Sequence, residues 1–445
     1  MKVGIIGLGF VGLTFASVLA HKGFDVIGID SDKNKIDKIS SGIVPFYEPK
    51  LEDILKSALR RKLILSERIN DTIEKCDLIF VTVGTPMTNN GSIDLKIIFK
   101  VCEKIGEGLL KTKKRPIIII KSTVVPGTTI NKIKKVIEKK SDKKAEKEFG
   151  LITNPEFLRE GKAVEDTLYP HIIVIGGEEK KSKKKVKSFY KKFYDLDIPI
   201  ILTNNTTAEM IKYANNSFLA TKISFINNIA NLCQTLPGTN IDDVAKAIGI
   251  DPRIGKQFLN AGPGYGGSCL PKDLQAMIKF SNRIGEESIL LKAVHETNIL
   301  QTKKILKIIE KNLGNVKNKS ITILGLSFKE ESDDIRESVS IKLITKLVER
   351  QARIKVHDPK AIKNTKDIFG DKITYFNKIN DALDGSQCVI IMTPWKQYSK
   401  LKKNDFKKMK EKIIIDSRRI LNIKDNDLRY IGLGVGKWLL FLQFS

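Results

Sequence analysis

Short apolar runs alternate with amphipathic stretches through the first part of the chain. Residues 3–6, 25–29, 78–83, 117–122, 150–153 and 171–175 read as buried strands, and residues 11–22 as a helix. Such alternation predicts a parallel sheet covered on both faces. The charged stretch 139–147 has no apolar period and is expected as an exposed helix end or loop. From about Asn205 the period changes. Residues 208–236 carry apolar positions at helical spacing, with no proline before Pro237, and stretches 241–248, 274–284 and 288–312 repeat that pattern. From Ser320 the strand signals return at 321–324, 353–357, 388–392 and 412–415. The pattern predicts an α/β chain in three parts: a Rossmann domain at 1–204, a central all-helical domain with a long helix at 205–312, and a second Rossmann-like domain at 313–445.

The last part echoes the first. A strand running into Gly7-Leu8-Gly9, with Asp30 closing the next strand, matches a strand running into Gly325-Leu326, with Asp358 closing the next. Phe80–Pro86 matches Val389–Pro394 in the same way, so two nucleotide-binding folds flanking a helical core are expected.

Composition narrows the field. The 445 residues are 41% hydrophobic, enough for two or three cores. No apolar run approaches the length needed to span a bilayer, and the apolar segment 438–442 reads as a terminal strand or docking segment. The five cysteines show no CxxC pair and no close histidine cluster, which argues against a disulfide framework or a metal site and for a cytoplasmic setting. The net charge of +27 comes mostly from lysines on helical stretches such as 132–147 and 180–192, without interleaved aromatics. Solvated faces, and neither a nucleic-acid nor a membrane partner, are expected; attraction of an anionic small substrate is a secondary benefit.

Gly7-Leu8-Gly9-Phe10-Val11-Gly12 is a GxGxxG fingerprint placed between a strand and a helix. Gly7 permits the tight turn, Gly9 lets the backbone approach a pyrophosphate at the helix N-terminus, and Gly12 permits close helix–strand packing. Asp30 is placed to accept from the adenosine ribose hydroxyls and repels a 2′-phosphate, so NAD is favoured over NADP. The second chemical stretch is Gly262-Pro263-Gly264-Tyr265-Gly266-Gly267-Ser268-Cys269-Leu270-Pro271-Lys272-Asp273. Its glycines imply close backbone approach, read as a substrate cradle, and Lys272 is a cation near the thiol, which favours a nucleophilic thiolate.

These stretches, with VGTP at 83–86, KSTVVPGT at 121–128, NPEFLREGKAVED at 154–166, AEMIKYANNSFLATKISFIN at 208–227 and FKEESDDIRES at 328–338, resemble the UDP-glucose/GDP-mannose dehydrogenase family over nearly the whole length, most closely its UDP-glucose branch. The resemblance implies oxidation of a sugar C6 alcohol twice with two NAD and one water, through a thiohemiacetal and a thioester on Cys269. It implies that Lys212 and Asp273 assist proton removal and stabilise the oxyanion together with Asn216, and that Glu156 and Thr123 position the hydrolytic water. It adds Lys35, Thr85, Thr123, Glu160, Lys272 and Arg336 to the cofactor contacts, beside Gly7, Gly9, Phe10, Val11, Gly12 and Asp30. For the UDP-sugar it implies Glu156, Phe157, Leu158, Glu160, Lys212, Asn216, Tyr265, Gly266, Lys329 and Arg418, with Arg253 reaching a neighbouring subunit's site in a homodimer or larger assembly.

Two departures stand out. Ser417 occupies the glycine position of the family's DGRR or DGRN motif beside Arg418, and Thr393-Pro394-Trp395 stands where TEW is common. The same chemistry on UDP-N-acetylmannosamine or GDP-mannose is the nearest alternative. A β-hydroxyacid dehydrogenase would need neither Cys269 nor the last domain, and a non-catalytic sensor would not need Cys269, Lys212 and Asp273 together.

Overall fold

The structure is a computed structural model that describes residues 1–88, 90–194, 197–423 and 427–436. The apolar segment 438–442 lies outside the described residues, as does most of the tail. The chain forms two compact units, residues 1–215 and 216–445.

Among the described residues the first unit holds eight strands: β1 (Lys2–Ile6), β2 (Asp25–Ile29), β3 (Leu63–Ser66), β4 (Leu78–Val81), β5 (Ile117–Ile120), β6 (Gly150–Thr153), β7 (Ile173–Gly177) and β8 (Ile200–Thr203). Their order is β3-β2-β1-β4-β5-β6-β7-β8, with the switch point between β1 and β4 where the strand order reverses. The central strands are buried because both faces are covered, by the cluster of Phe15, Leu19, Phe80 and Phe189 on one side and that of Ile79, Ile105, Ile118 and Leu151 on the other.

The expectation of a parallel sheet holds through β6. β7, expected two residues earlier, pairs antiparallel with β6 (Thr153 opposite Gly176). An antiparallel return needs no crossover to the far end of the sheet. The connecting segment 154–172, with its short helix Ala163–Leu168, therefore starts and finishes at the carboxyl edge of β6, beside the ends of β4 and β5. The short strands β3 and β8 gave no clear pattern in the sequence.

Among the described residues the second unit has helical segments followed by a six-stranded parallel sheet. The long helix Asn205–Cys233 runs into this unit from the first, starting three residues earlier than its apolar pattern suggested and ending three earlier. Helices Ile241–Ile250, Leu270–Arg283 and Ile289–Leu313 follow. The sheet comprises β9 (Ser320–Leu324), β10 (Arg353–His357), β11 (Thr374–Tyr375), β12 (Cys388–Ile391), β13 (Ile413–Asp416) and β14 (Arg429–Gly432), in the order β11-β10-β9-β12-β13-β14. That order repeats the first six strands of the other sheet. The register repeats too: Ile6 faces Val81 and Leu324 faces Ile391.

Candidate active site

At the carboxyl edge of the first sheet, β1 turns into the helix Phe10–His21 through residues 7–9 alone. Gly7 has φ of 97°, a conformation that favours glycine. A Cβ on Gly12 would lie 1.9 Å from the Gly7 carbonyl oxygen, so only glycine lets the helix sit this close to the strand. A Cβ on Gly9 would meet open space, which leaves the helix N-terminus accessible to a ligand. Asp30 accepts from Leu8 N–H at 2.9 Å, which ties the end of β2 to this turn, and its Oδ2 also takes the Lys35 ammonium at 2.9 Å. Thr85 donates to the Thr123 carbonyl at 2.8 Å, joining the loops after β4 and β5. Turn, helix N-terminus and carboxylate have the chemistry a dinucleotide needs: residues 7–12 would hold a pyrophosphate and Asp30 a ribose.

The loop after β6 carries the next cluster. Glu156 is buried, and its Oε1 accepts from Lys212 Nζ at 3.0 Å while Oε2 accepts from Leu158 N–H. Lys212 also lies 5.3 Å from the centre of the Phe157 ring, a cation–π distance. Two buried acids brace this region, and no pattern in the sequence pointed to either. Glu48 accepts from Gly161 N–H and Ala163 N–H, each at 2.7 Å, and so fixes the loop bearing Glu160. Glu209 accepts from Gly127 N–H at 2.6 Å and Thr129 N–H at 2.8 Å. Burial pushes the Glu209 carboxyl up to about 7, against the pull of those donors. Lys121 and Asn154 were visible only as motif letters, yet they form a buried pair with Nζ 3.1 Å from Oδ1.

In the second unit, Cys269 begins the helix Leu270–Arg283, with Pro271 in its first turn. It is the half-exposed one of the five cysteines; Cys76, Cys102, Cys233 and Cys388 are buried. Burial pushes the Cys76 and Cys102 thiols up to about 12, the condition of inert core cysteines. One turn on, Asp273 is buried and accepts from Lys272 Nζ and Asn216 Nδ2, each at 2.6 Å. The Lys272 cation expected near the thiol is thus paired with Asp273. Lys212 and Asn216 stand four residues apart on one helix, as expected, but their partners differ: Glu156 for the first and Asp273 for the second.

The glycine loop, expected as a backbone cradle, also packs closely against its own chain. A Cβ on Gly266 would lie 2.4 Å from the Glu337 carbonyl oxygen, and one on Gly267 would lie 2.7 Å from the Phe328 ring. The glycines let this loop press against its own chain. Asn298 clamps Tyr265 through both backbone groups, at 2.8 and 2.9 Å, and the Tyr265 ring packs in the core with Ala220, Leu274 and Val294. Arg418 donates to the Met392 carbonyl at 2.8 Å, and desolvation lowers its pKa to about 10. Ser417, the departure beside it, donates to the Ile391 carbonyl at 2.6 Å and is accommodated inside the fold. Lys329 is half-buried in the loop after β9. Arg253 and Arg336 are exposed and pair with Asp251 and Asp334, each at 2.6 Å.

The first unit offers a dinucleotide crevice and a lysine–carboxylate pair, and the second an accessible cysteine at a helix start; each suits a dinucleotide-dependent oxidoreductase. Comparison with known proteins identifies which. Three domains of the UDP-glucose/GDP-mannose dehydrogenase family match in order: the NAD-binding domain at residues 1–194, the central domain at 206–299 and the UDP-binding domain at 322–423. The chain belongs to this family, and its cofactor is NAD. It is 40% identical over 428 residues to a putative UDP-glucose 6-dehydrogenase of Bacillus subtilis, covering 95% of this chain and 96% of that protein. Among solved structures it resembles a UDP-glucose dehydrogenase of Pyrobaculum islandicum at 34% identity, with a TM-score of 0.90 and 98% of each chain covered. It also resembles a UDP-N-acetyl-D-mannosamine dehydrogenase of Pyrococcus horikoshii at 26% identity, with a TM-score of 0.86, 98% of this chain and 99% of that one. Among the described residues, no helix is long and apolar enough to cross a membrane.

Proposed function

We propose that this chain oxidises UDP-glucose at C6 to UDP-glucuronate in two steps, with Cys269 as the covalent nucleophile. The observation that carries the reading is the half-exposed thiol at the start of the helix Leu270–Arg283, where the other four cysteines are buried. The positive end of a helix favours an anion such as a thiolate. Residues 7–12 and Asp30 would hold NAD, which when bound would supply the hydride acceptor for both oxidations. The Cys269 thiolate adds to the C6 aldehyde, giving a thiohemiacetal whose oxidation leaves a thioester. Water attacks that carbonyl, the C–S bond breaks, and the acid leaves with the thiol restored. The sum is one alcohol, two NAD and one water giving one carboxylate, two NADH and three protons.

Glu156 is the base for the hydrolytic water, with Thr123 positioning it; Lys212, Asn216 and Asp273 serve proton removal and the oxyanion. Phe157, Leu158, Glu160, Tyr265 and Gly266 bind the sugar nucleotide. Lys329 and Arg418 face its diphosphate or sugar. Phe10, Val11, Lys35, Thr85, Lys272 and Arg336 complete the cofactor contacts. The division at 1–204, 205–312 and 313–445 separates cofactor binding, assembly and UDP-sugar binding. A cytoplasmic homodimer or larger assembly completes the reading: Phe218, Phe225 and Leu232 are exposed at intervals of seven along the long helix, an apolar stripe suited to a second copy, and Arg253, paired with Asp251, is exposed on the surface.

The relative of Bacillus subtilis favours UDP-glucose, and the Pyrococcus horikoshii neighbour keeps the N-acetylmannosamine substrate as the alternative. The test is NADH yield with limiting UDP-glucose, UDP-N-acetylmannosamine and GDP-mannose in turn. Two NADH per UDP-glucose, with little turnover of the others, is expected. Turnover of the N-acetylated sugar alone, or one NADH per sugar, would overturn the reading.

A further inference from the structure

Within the second unit, the turn after β13 carries two arginines, and both meet the start of the glycine loop. Arg419 has φ of 53°, in the left-handed region that an arginine seldom adopts. Its side chain is 7% exposed, and all three guanidinium nitrogens are engaged. Nε donates to the Asp242 carboxylate at 2.9 and 3.0 Å, Nη1 to the Leu433 carbonyl at 3.0 Å and Nη2 to the Ala261 carbonyl at 2.9 Å. Strained backbone persists where its surroundings over-determine it, and it clusters at positions with a task. Asp416 holds the turn itself, taking Arg418 N–H at 3.0 Å and Leu421 N–H at 2.9 Å. Arg418 meets the next residue of the loop: a Cβ on Gly262 would lie 2.7 Å from its Nη1, so an added methyl would push the guanidinium from its place.

Two helices hold the same loop from elsewhere. Asn227 takes Gly262 N–H at 2.7 Å, Gln301 donates to the Gly262 carbonyl at 3.2 Å, and Asn298 clamps Tyr265. Further on, Gly267 N–H donates to the Arg336 carbonyl at 2.9 Å, and Cys269 follows two residues later. We propose that Arg419 is a positioning residue that couples the UDP-sugar site to the glycine loop ahead of Cys269. A diphosphate seated on Arg418 fixes the turn, and Arg419 passes that restraint to Ala261 and Gly262. A planar guanidinium suits the task, because one rigid fork spans a helix carboxylate, a carbonyl just past β14 and the loop. This rests on Arg418 as a substrate contact and Cys269 as the nucleophile.

The test is hydrogen exchange of the full chain by mass spectrometry, with and without UDP, beside steady-state kinetics with UDP-glucose. In wild type, UDP is expected to slow exchange of the amides of residues 261–268 by about threefold or more. In Arg419→Met that slowing is lost and kcat falls roughly tenfold, while KM for UDP-glucose stays within about threefold. Asp242→Asn, at a side chain 53% exposed, loosens the same guanidinium without threatening the fold and is expected to lose part of the slowing. UDP protection that survives in folded Arg419→Met, or in Asp242→Asn should the former not fold, would make Arg419 a structural staple and overturn the proposal. Unchanged UDP affinity in Arg418→Met would instead overturn the substrate reading of Arg418, and the coupling with it.

Discussion

The two sheets share one strand order, and each places an aspartate at the end of its second strand, but the two aspartates do different work. Asp30 takes Leu8 N–H and Lys35 on Oδ2 and Asp32 N–H on Oδ1. Asp358 takes Leu326 N–H, Ser327 N–H, the Ser327 hydroxyl and the Trp395 indole on Oδ2, and Lys360 N–H and Ala361 N–H on Oδ1. A carboxylate offers about four acceptor sites. Asp30 keeps room for a ribose, whereas Asp358 is filled by its own chain. The loops differ in step. Residues 7–9 bring a helix N-terminus straight to the first crevice; residues 325–338 intervene before the helix Val339–Glu349 in the second. An acid at this position reads a ligand only when the fold leaves it unsaturated.

Removing each acid sharpens the contrast. Asp358→Ala strands several buried donors and is expected to lower unfolding free energy by about 3–5 kcal/mol, read by denaturant titration. A loss below about 1 kcal/mol would break the comparison. Asp30→Ala is expected to leave the melting temperature within a few degrees while raising the NAD dissociation constant roughly 10–100-fold and shrinking the preference over NADP, because charge-assisted bonds to the ribose contribute about 1.5–3 kcal/mol. An unchanged NAD affinity by calorimetry would remove Asp30 from the cofactor site.

Glu209 brings the contrast inside one unit, since it too is consumed by backbone donors. Its folded pKa is raised from 4.5 to about 7, so its contribution to stability is complete below about pH 4.5 and is lost as pH rises through about 7. Glu209→Gln is expected to destabilise the protein by about 1–2 kcal/mol at pH 5, with the gap to wild type narrowing by pH 8. A gap that widens with pH would show the sign to be wrong. Ser417→Gly is the mildest change. It deletes one hydrogen bond, to the Ile391 carbonyl, and is expected to lower stability by about 1 kcal/mol with the UDP-sugar KM unchanged. A several-fold change in KM would mean that the serine tunes Arg418.

Much of this was legible in the sequence because it is periodic or local. Buried strands are continuous apolar runs, the long helix shows its 3.6-residue period, and the turn at Gly7 needs glycines at fixed spacing. Cys269 stood out for the same reason. The internal echo also held, down to matching register at Val81 and Ile391. What the sequence hid was long-range. Nothing near Glu48 says that it caps a loop more than a hundred residues away, and nothing near Glu209 says that it holds Gly127. The reversal of β7 escaped because an isolated apolar strand carries no direction. The glycines before Cys269 imply close backbone approach, and Gly266 and Gly267 do lie close to Glu337 and Phe328. Local pattern shows that backbone must come close to something, while the identity of that something is a tertiary fact.

The central claim is that Cys269 holds the half-oxidised sugar, and peptide mass spectrometry of acid-quenched enzyme tests it most directly. With Glu156→Gln, UDP-glucose and excess NAD, the peptide bearing Cys269 is expected to carry the sugar nucleotide as a thioester, sensitive to hydroxylamine and absent without NAD. An unmodified Cys269 peptide in enzyme that has formed two NADH per sugar would contradict it.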